Sequence, residues 1–467
     1  MSIPPAELRV AIIGSGPAGF YAAEALQKAA AGMRIDMFDR LPTPFGLVRG
    51  GVAPDHPKIK SVSRVFERIA SQPGFRFLGH VEIGLDLTPE ELHQHYDVVI
   101  YSYGADTDRH LGIPGEHLAG SHPATEIVAW YNGHPDFAER TFDLSQRAAA
   151  VVGIGNVAMD VVRIMASSAD HLATTDLALH ALDALRTSKV EELHILARRG
   201  PVQAACTTPE LRELGEIDGV DVIVDPRDLE LDAVSAAYLA DDNNRTEQNN
   251  MALLRGWAAR GSTGAPRRIV FHFCVSPVEL VGEHHVEAIR AVRNRLRPDG
   301  HGAVQAVATS ETVTIPVGLV FRSVGYRGTA LSGMPFDARR GVIPNVTGRV
   351  VESVDSATVV RGAYVAGWIK RGPQGVIGTN KSDAAETVDH LLADTVSGRL
   401  TPAARSAADL DALLAEREIE VTSWADWQAL DRAEIERGKA AGRPREKIVS
   451  VNEMLEVIRA ARGTASS

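Results

Sequence analysis

The chain holds only two cysteines, Cys206 and Cys274, far apart and in no C-x-x-C pair. That excludes a disulfide framework, a zinc ribbon, a built-in iron–sulfur cluster and a redox dithiol. No apolar run approaches the roughly 18 residues needed to cross a membrane. A basic balance is missing too. The formal net charge is −11, which argues against nucleic acid as the main partner. Room for a signal or transit peptide is also lacking, because the first strand is expected near Leu8. No internal repeat is present. The 45% apolar and 23% charged residues are those of a soluble globular protein. A length of 467 residues predicts two or three domains.

The chain is organised around Val10-Ala-Ile-Ile-Gly-Ser-Gly-Pro-Ala-Gly19. Val10 to Ile13 read as a buried strand, and Phe20 to Leu26 start a helix. Between them Gly14, Gly16 and Gly19 stand in G-x-G-x-x-G spacing. Gly14 permits the tight turn, Gly16 lets backbone approach a pyrophosphate, and Gly19 lets helix and strand pack closely. Arg34 to Asp39 reads as the next strand. Asp39 ends it about 20 residues past Gly19, where a carboxylate would bond ribose hydroxyls.

Further on, Leu41 to Pro57 is rich in proline and glycine and predicts a long shaped loop. Lys58 to Ala70 predicts an amphipathic helix, and Phe75–Leu78 and Val81–Ile83 predict short strands. Thr88 to Glu91 forms a capping box with proline at the first helical position. Residues 96–105 are a strand running into a Gly turn. Residues 235–268, rich in Asn, Asp and Arg, look like an insertion. A charged helical tail follows Pro402, with Trp424 and Trp427 as packing anchors.

A second unit opens at Ala148. Ala148 to Val152 is a strand, Gly153-Ile-Gly-Asn-Val-Ala158 fits G-x-G-x-x-A, and a helix follows from Met159. Two fingerprints so far apart imply two dinucleotides. The strand Glu192–Ala197 ends in Arg198-Arg199 rather than an acid. Paired guanidiniums match the 2′-phosphate of NADP. Thr208 predicts an N-cap, and Glu210 is placed to accept from the adenosine ribose or simply to serve as a first-turn acid. The first site, with Asp39, suits FAD, because hydride from a pyridine nucleotide needs an acceptor. The Gly372-to-Gly378 loop entering a helix near Thr379 would aim N–H groups at a flavin, with Trp368 against the ring or in the core.

Taken in order, Gly14 to Tyr21, Phe45 to Gly50, Val52 to Pro57, Gly155 to Asp160, Arg198 to Pro201, Gly367 to Pro373, Trp424 to Trp427 and Gly442 to Lys447 form a specific set covering nearly the whole chain. The set resembles adrenodoxin-reductase-type ferredoxin–NADP reductases, including bacterial members. The resemblance implies an α/β protein with two Rossmann-like domains, the NADP domain inserted into a discontinuous FAD domain. Expected bounds are 1–106 and 321–467 for FAD, with the helical tail in the second part, and 107–320 for NADP. It implies an FAD enzyme that takes hydride from NADPH and feeds electrons to a ferredoxin, often for a cytochrome P450. FAD would contact Gly14, Gly16, Pro17, Ala18, Gly19, Asp39, Leu47, Val81, Trp368, Gly375, Val376 and Ile377. NADP would contact Ile154, Gly155, Asn156, Val157, Arg198, Arg199, Glu210 and Gly375. His56, Asp160 and Glu213 match catalytic polar positions near the nicotinamide and the proton path. Arg212 matches a ferredoxin-docking arginine, and Arg255 is a second candidate. The missing presequence points to a bacterial cytoplasmic enzyme, and no metal site is expected.

Three other readings share parts of this pattern. A flavin monooxygenase has the same two-nucleotide layout, but its linker motif is absent here. An electron-input subunit like that of glutamate synthase needs cysteine clusters. A flavoprotein kept for binding or redox sensing would take up FAD without being bleached by NADPH.

Overall fold

The computed structural model describes residues 4, 7–30, 32–300 and 303–465. They form two compact units. One comprises the described residues up to Val52, His56–Thr107 and Gly325 onward; the other is Ala53–Asp55 with Asp108–Val324.

The first unit is built on a seven-stranded sheet. Its order is Asn345–Val346, Arg349–Val351, Val359–Val365, Val98–Tyr101, Arg9–Ile13, Arg34–Asp39, Phe75–Gly79. The last five are mutually parallel, and the first two add antiparallel at the edge. Central parallel strands are covered on both faces and need unbroken apolar runs. Val10 to Ile13 meet that need and are all buried. On one face lies a cluster containing Phe20, Phe66 and Trp427; on the other, one containing Phe38, Tyr96 and Tyr101. Aromatic residues make up only 5% of the chain, yet they crowd here. Phe20 stacks on Phe66 with centroids 4.7 Å apart. Trp424 meets Phe20, Phe45 and Phe77 edge-on, and Trp427 meets Phe45 at 5.6 Å. The helix Trp424–Ala440 that carries both tryptophans starts on a Ser423–Asp426 capping box.

The second unit has a six-stranded parallel sheet in the order Ser121–Pro123, Leu319–Arg322, Ala148–Val152, Glu192–Leu196, Arg267–His272, Val220–Val224. A three-stranded antiparallel sheet, Val275–Val281, Ala288–Pro298 and Val304–Pro316, completes it. Among the described residues no helix is long and apolar enough to cross a membrane.

Several local expectations fail for identifiable reasons. The helix expected over 58–70 is two pieces, Pro57–Lys60 and Ser63–Ala70. The Ser61 hydroxyl donates back to Lys58 O at 2.6 Å, a local bond that competes with continuation of the helix. Only the second piece buries a face, through Phe66, Ile69 and Ala70. Val81–Ile83 forms no strand, because His80 turns the chain with φ +59°. Thr207 rather than Thr208 is the N-cap of Thr208–Leu214. The polar stretch 235–268 is largely helical, and Arg245–Arg260 buries Asn250, Met251, Leu254 and Trp257 along one stripe.

Candidate functional site

In the first unit Gly14 takes φ +100°, and an added Cβ would lie 2.7 Å from Tyr103 Cα. At Gly19 a Cβ would come within 2.2 Å of Gly14 O. Both glycines are therefore demanded by the protein itself. Gly16 is different: a Cβ there would meet nothing within 4 Å. Its hydrogens face open space beside the N-terminus of Pro17–Ala29, which has Gly16 as N-cap and no side-chain cap. Such an end offers unpaired N–H groups and a partial positive charge. Pro17 and Ala18 occupy its first turn.

Asp39 stands at the end of the neighbouring strand. One of its oxygens accepts from Ser15 N at 3.1 Å and from Ser15 Oγ, and the other accepts from Leu41 N at 3.0 Å. Burial pushes the carboxyl above the usual carboxylate range, while the Ser15 and Leu41 bonds pull the other way. Val81 N donates to Asp39 O at 2.9 Å, and Phe45 N to Ser15 O at 3.0 Å. The Phe45–Gly50 loop thus borders the glycine turn; Leu47, in it, is exposed. Gly367 also closes on this region, since a Cβ there would lie 2.5 Å from Ala18 Cβ. Trp368 starts the short helix Trp368–Arg371, its ring 5.4 Å from that of Tyr326. Gly375, with φ +81°, Val376 and Ile377 lead into Thr379–Val396, whose N-cap Gly378 again provides no side-chain cap. His56 is the N-cap residue of Pro57–Lys60 in this unit.

The second unit repeats the arrangement. Gly153, φ +132°, is packed so that a Cβ would lie 2.1 Å from Ser323 O, while Gly155 is open for 4 Å around. Gly155 caps Asn156–Ala166 without a side-chain bond. Ile154 O accepts from Ala205 N at 3.2 Å, and Asn156 Oδ1 from Thr207 N at 2.9 Å. Val157 follows in the helix. Thr88, Ser406 and Ser423, by contrast, each form a capping box. The two fingerprint helices keep glycine caps where dinucleotide phosphates would sit, and a bound anion would supply what the missing side chain does not. By this test the residues present fit two dinucleotides.

Arg198 is exposed and Arg199 half-buried, just past the strand Glu192–Leu196. Among the described residues neither guanidinium takes part in an ion pair. The structure contrasts them with Arg163, which sequence reasoning missed. Arg163 is buried and gathers four carboxylates: Asp55 at 2.6 Å, Asp160 at 2.7 Å, Glu210 at 3.1 Å and Glu213 at 3.3 Å. Burial opposes its charge, but Asp55 and Asp160 prevail and raise its pKa. Glu210, an acid in the first turn of Thr208–Leu214, therefore has a protein partner. Of the signals for this cluster, only the Asp160–Arg163 spacing of one helical turn was local. Arg212 is exposed on Thr208–Leu214 and lines a shallow depression with Trp257 and Arg260.

Residues 8–199 match the pyridine nucleotide-disulphide oxidoreductase family. The disulphide in that description has no counterpart here. Burial pushes the Cys206 thiol up to about 12 and the Cys274 thiol up to about 11, and both are free. The NADPH-ferredoxin reductase FprA of Mycobacterium tuberculosis is 48% identical over 96% of this chain and 98% of its own length. The mitochondrial NADPH:adrenodoxin oxidoreductase of Salvelinus fontinalis is 41% identical over 98% of this chain and 93% of its own. The solved structure of Mycobacterium tuberculosis FprA in complex with NADPH superposes with a TM-score of 0.90 at 47% identity, covering 97% of this chain and 99% of that one. The chain belongs to the family of adrenodoxin-reductase-type ferredoxin–NADP reductases.

Proposed function

We propose that this chain is a cytoplasmic, FAD-dependent ferredoxin–NADP reductase serving a cytochrome P450 or another ferredoxin-dependent enzyme. One observation carries the reading: an arginine couple with no ion-pair partner among the described residues stands at the strand end beside an open glycine loop, in a protein of net charge −11. The loop at Gly14–Gly19, with Asp39, Leu47, Val81, Trp368 and Gly375–Ile377, would hold FAD. The loop at Ile154–Val157, with Arg198, Arg199 and Glu210, would hold NADP. Bound FAD would accept hydride from NADPH and release the two electrons singly. The protein's part is placement. Asp39 accepts ribose hydroxyls, uncapped helix ends take phosphates, and the arginines take the 2′-phosphate. Anaerobic titration with NADPH, then addition of a ferredoxin, tests the proposal. Yellow protein that NADPH fails to bleach, or that bleaches but cannot pass electrons on, sinks it.

His56, Asp160 and Glu213 are assigned to the nicotinamide end, where they tune hydride transfer without being required for it. Stopped-flow reduction of His56→Gln should be slower than that of the parent at equal FAD content. An unaltered rate leaves His56 a structural loop residue.

Docking of ferredoxin is assigned to the surface around Arg212, with Arg255 and Arg260 exposed on the neighbouring helix. Ferredoxins of this kind are acidic, so their net charge and this chain's would repel. Productive approach then needs a local basic patch acting within a Debye length of about 8 Å. Raising salt from low to physiological strength should slow ferredoxin reduction and hardly touch ferricyanide reduction. Arg212→Glu should raise the KM for ferredoxin and spare NADPH-to-ferricyanide turnover. An unchanged ferredoxin KM would move the docking site elsewhere.

A further inference from the structure

The two arginines at the strand end do not hold themselves in place. Their carbonyls are tied to a neighbouring sheet. Arg198 O accepts from Asn294 Nδ2 at 2.8 Å, and Arg199 O from Cys274 N at 3.1 Å. Asn294 N in turn donates to Cys274 O at 2.7 Å, and Asn294 Nδ2 also reaches Ser276 Oγ at 2.8 Å. The ties form one closed ring joining Arg198-Arg199, Cys274 and Asn294. Two local irregularities make it possible. Cys274 adopts φ +54°, a left-handed backbone that non-glycine residues seldom take. The strand Ala288–Pro298 shifts register between Val292 and Asn294, and a bulge of this kind re-aims a side chain away from the regular ladder. Leu296, two residues on, is packed so that a Cβ on Gly200 would lie 3.2 Å from its Cδ1. Uncommon backbone at two joined points, both ending on the same dipeptide, marks a constrained site.

We propose that Asn294 is a positioning residue for coenzyme choice: it fixes the Arg198-Arg199 backbone so that the two guanidiniums are presented to a 2′-phosphate. The proposal rests on the assignment of those arginines to NADP. Geometry supplies the reason. Arginine gains its advantage over lysine from a planar fork aimed correctly, and a flexible dipeptide would pay ordering entropy each time the coenzyme bound. Asn294 removes that cost beforehand. NADH, lacking the 2′-phosphate, draws no benefit.

The test uses the full-length holoenzyme with ferricyanide as acceptor. Asn294→Ala should raise the KM for NADPH about fivefold, the worth of one hydrogen bond. The KM for NADH, the FAD content and the rate at saturating NADPH should stay as in the parent. In an Arg198→Ala/Arg199→Ala background the same substitution should change nothing further, because it acts through the arginines. Should Asn294→Ala fold poorly, Asn294→Leu keeps the bulk, lacks the donor and adds no charge beside the phosphate, and it should give the same split. An unchanged KM for NADPH, an equal rise for both coenzymes, or a full additional effect in the arginine-free background overturns the proposal. If Arg198→Ala/Arg199→Ala alone leaves NADPH kinetics untouched, the phosphate assignment falls, and this inference with it.

Discussion

Arg198→Ala/Arg199→Ala should lose about one to four decades of NADPH affinity and leave NADH nearly unaffected. Each charge-assisted contact to a phosphate is worth roughly 1.5–3 kcal/mol, and about 1.4 kcal/mol is a decade. Exposure of Arg198 puts its share at the low end, since water screens it. No carboxylate among the described residues competes for either guanidinium. Arg163 shows the opposite case. Its charge is consumed by Asp55, Asp160, Glu210 and Glu213, so it cannot double as an anion site. Steady-state kinetics with both coenzymes decide the matter. NADPH constants that survive the double substitution would place the 2′-phosphate elsewhere.

The second large effect concerns folding. Glu434 is fully buried in the helix Trp424–Ala440. It accepts from Arg49 Nη1 at 2.9 Å and Arg445 Nη1 at 3.1 Å, and from Ile448 N at 2.9 Å. Glu434→Ala would leave the largely buried Arg49 guanidinium without its carboxylate, while Arg445 would keep Asp431 at 2.7 Å. Breaking a buried pair from one side costs about 3–5 kcal/mol. Arg49 lies in the loop that borders the first glycine turn, so FAD should be lost more readily as well. Glu434→Gln keeps the shape and one acceptor oxygen and should be milder. Thermal melts and FAD release report both outcomes. A melt of Glu434→Ala that overlays the parent curve would show that the cluster stabilises nothing.

Acid should act at the same point. Burial alone would raise the Glu434 pKa, but Arg49 and Arg445 hold it below the usual range. A carboxyl depressed in the folded state contributes stability above its unfolded value of about 4.3. That contribution is lost as pH falls through the lower folded value. Glu434→Ala should therefore flatten this part of the acid-stability profile.

Both glycine loops were legible from sequence because strand, turn and helix are contiguous there. Gly19 is fixed by Gly14 O a few residues away, whereas Gly14 and Gly153 are packed against Tyr103 and Ser323, which folding brings in, and were legible only through the motif spacing. The Thr88–Glu91 capping box was legible for the same reason. The Arg163 cluster was not. Asp55 precedes it by more than a hundred residues and Glu210 follows by dozens, and only folding brings them together. The break at Ser61 was hidden because a side-chain bond to Lys58 O, not a helix-breaking residue, interrupts an otherwise good helical pattern. Cys274 and Asn294 carried no signal, since a left-handed cysteine and a bulged asparagine look ordinary as letters.

The order of chain segments within the first unit sets an order of synthesis. Its strand Val359–Val365 lies directly beside Val98–Tyr101, and the Trp424–Ala440 helix completes the aromatic cluster around Phe20 and Phe45. While the ribosome is still short of residue 359, the emerged residues up to Thr107 have no partner on that side of the sheet. The other unit is nearly contiguous, ending at Val324. Domains fold as units as they emerge, so this nearly contiguous unit is complete while the first unit waits. The sheet that carries the N-terminal glycine turn is translated first and finished last, and until then the apolar strand Val98–Tyr101 keeps one open edge.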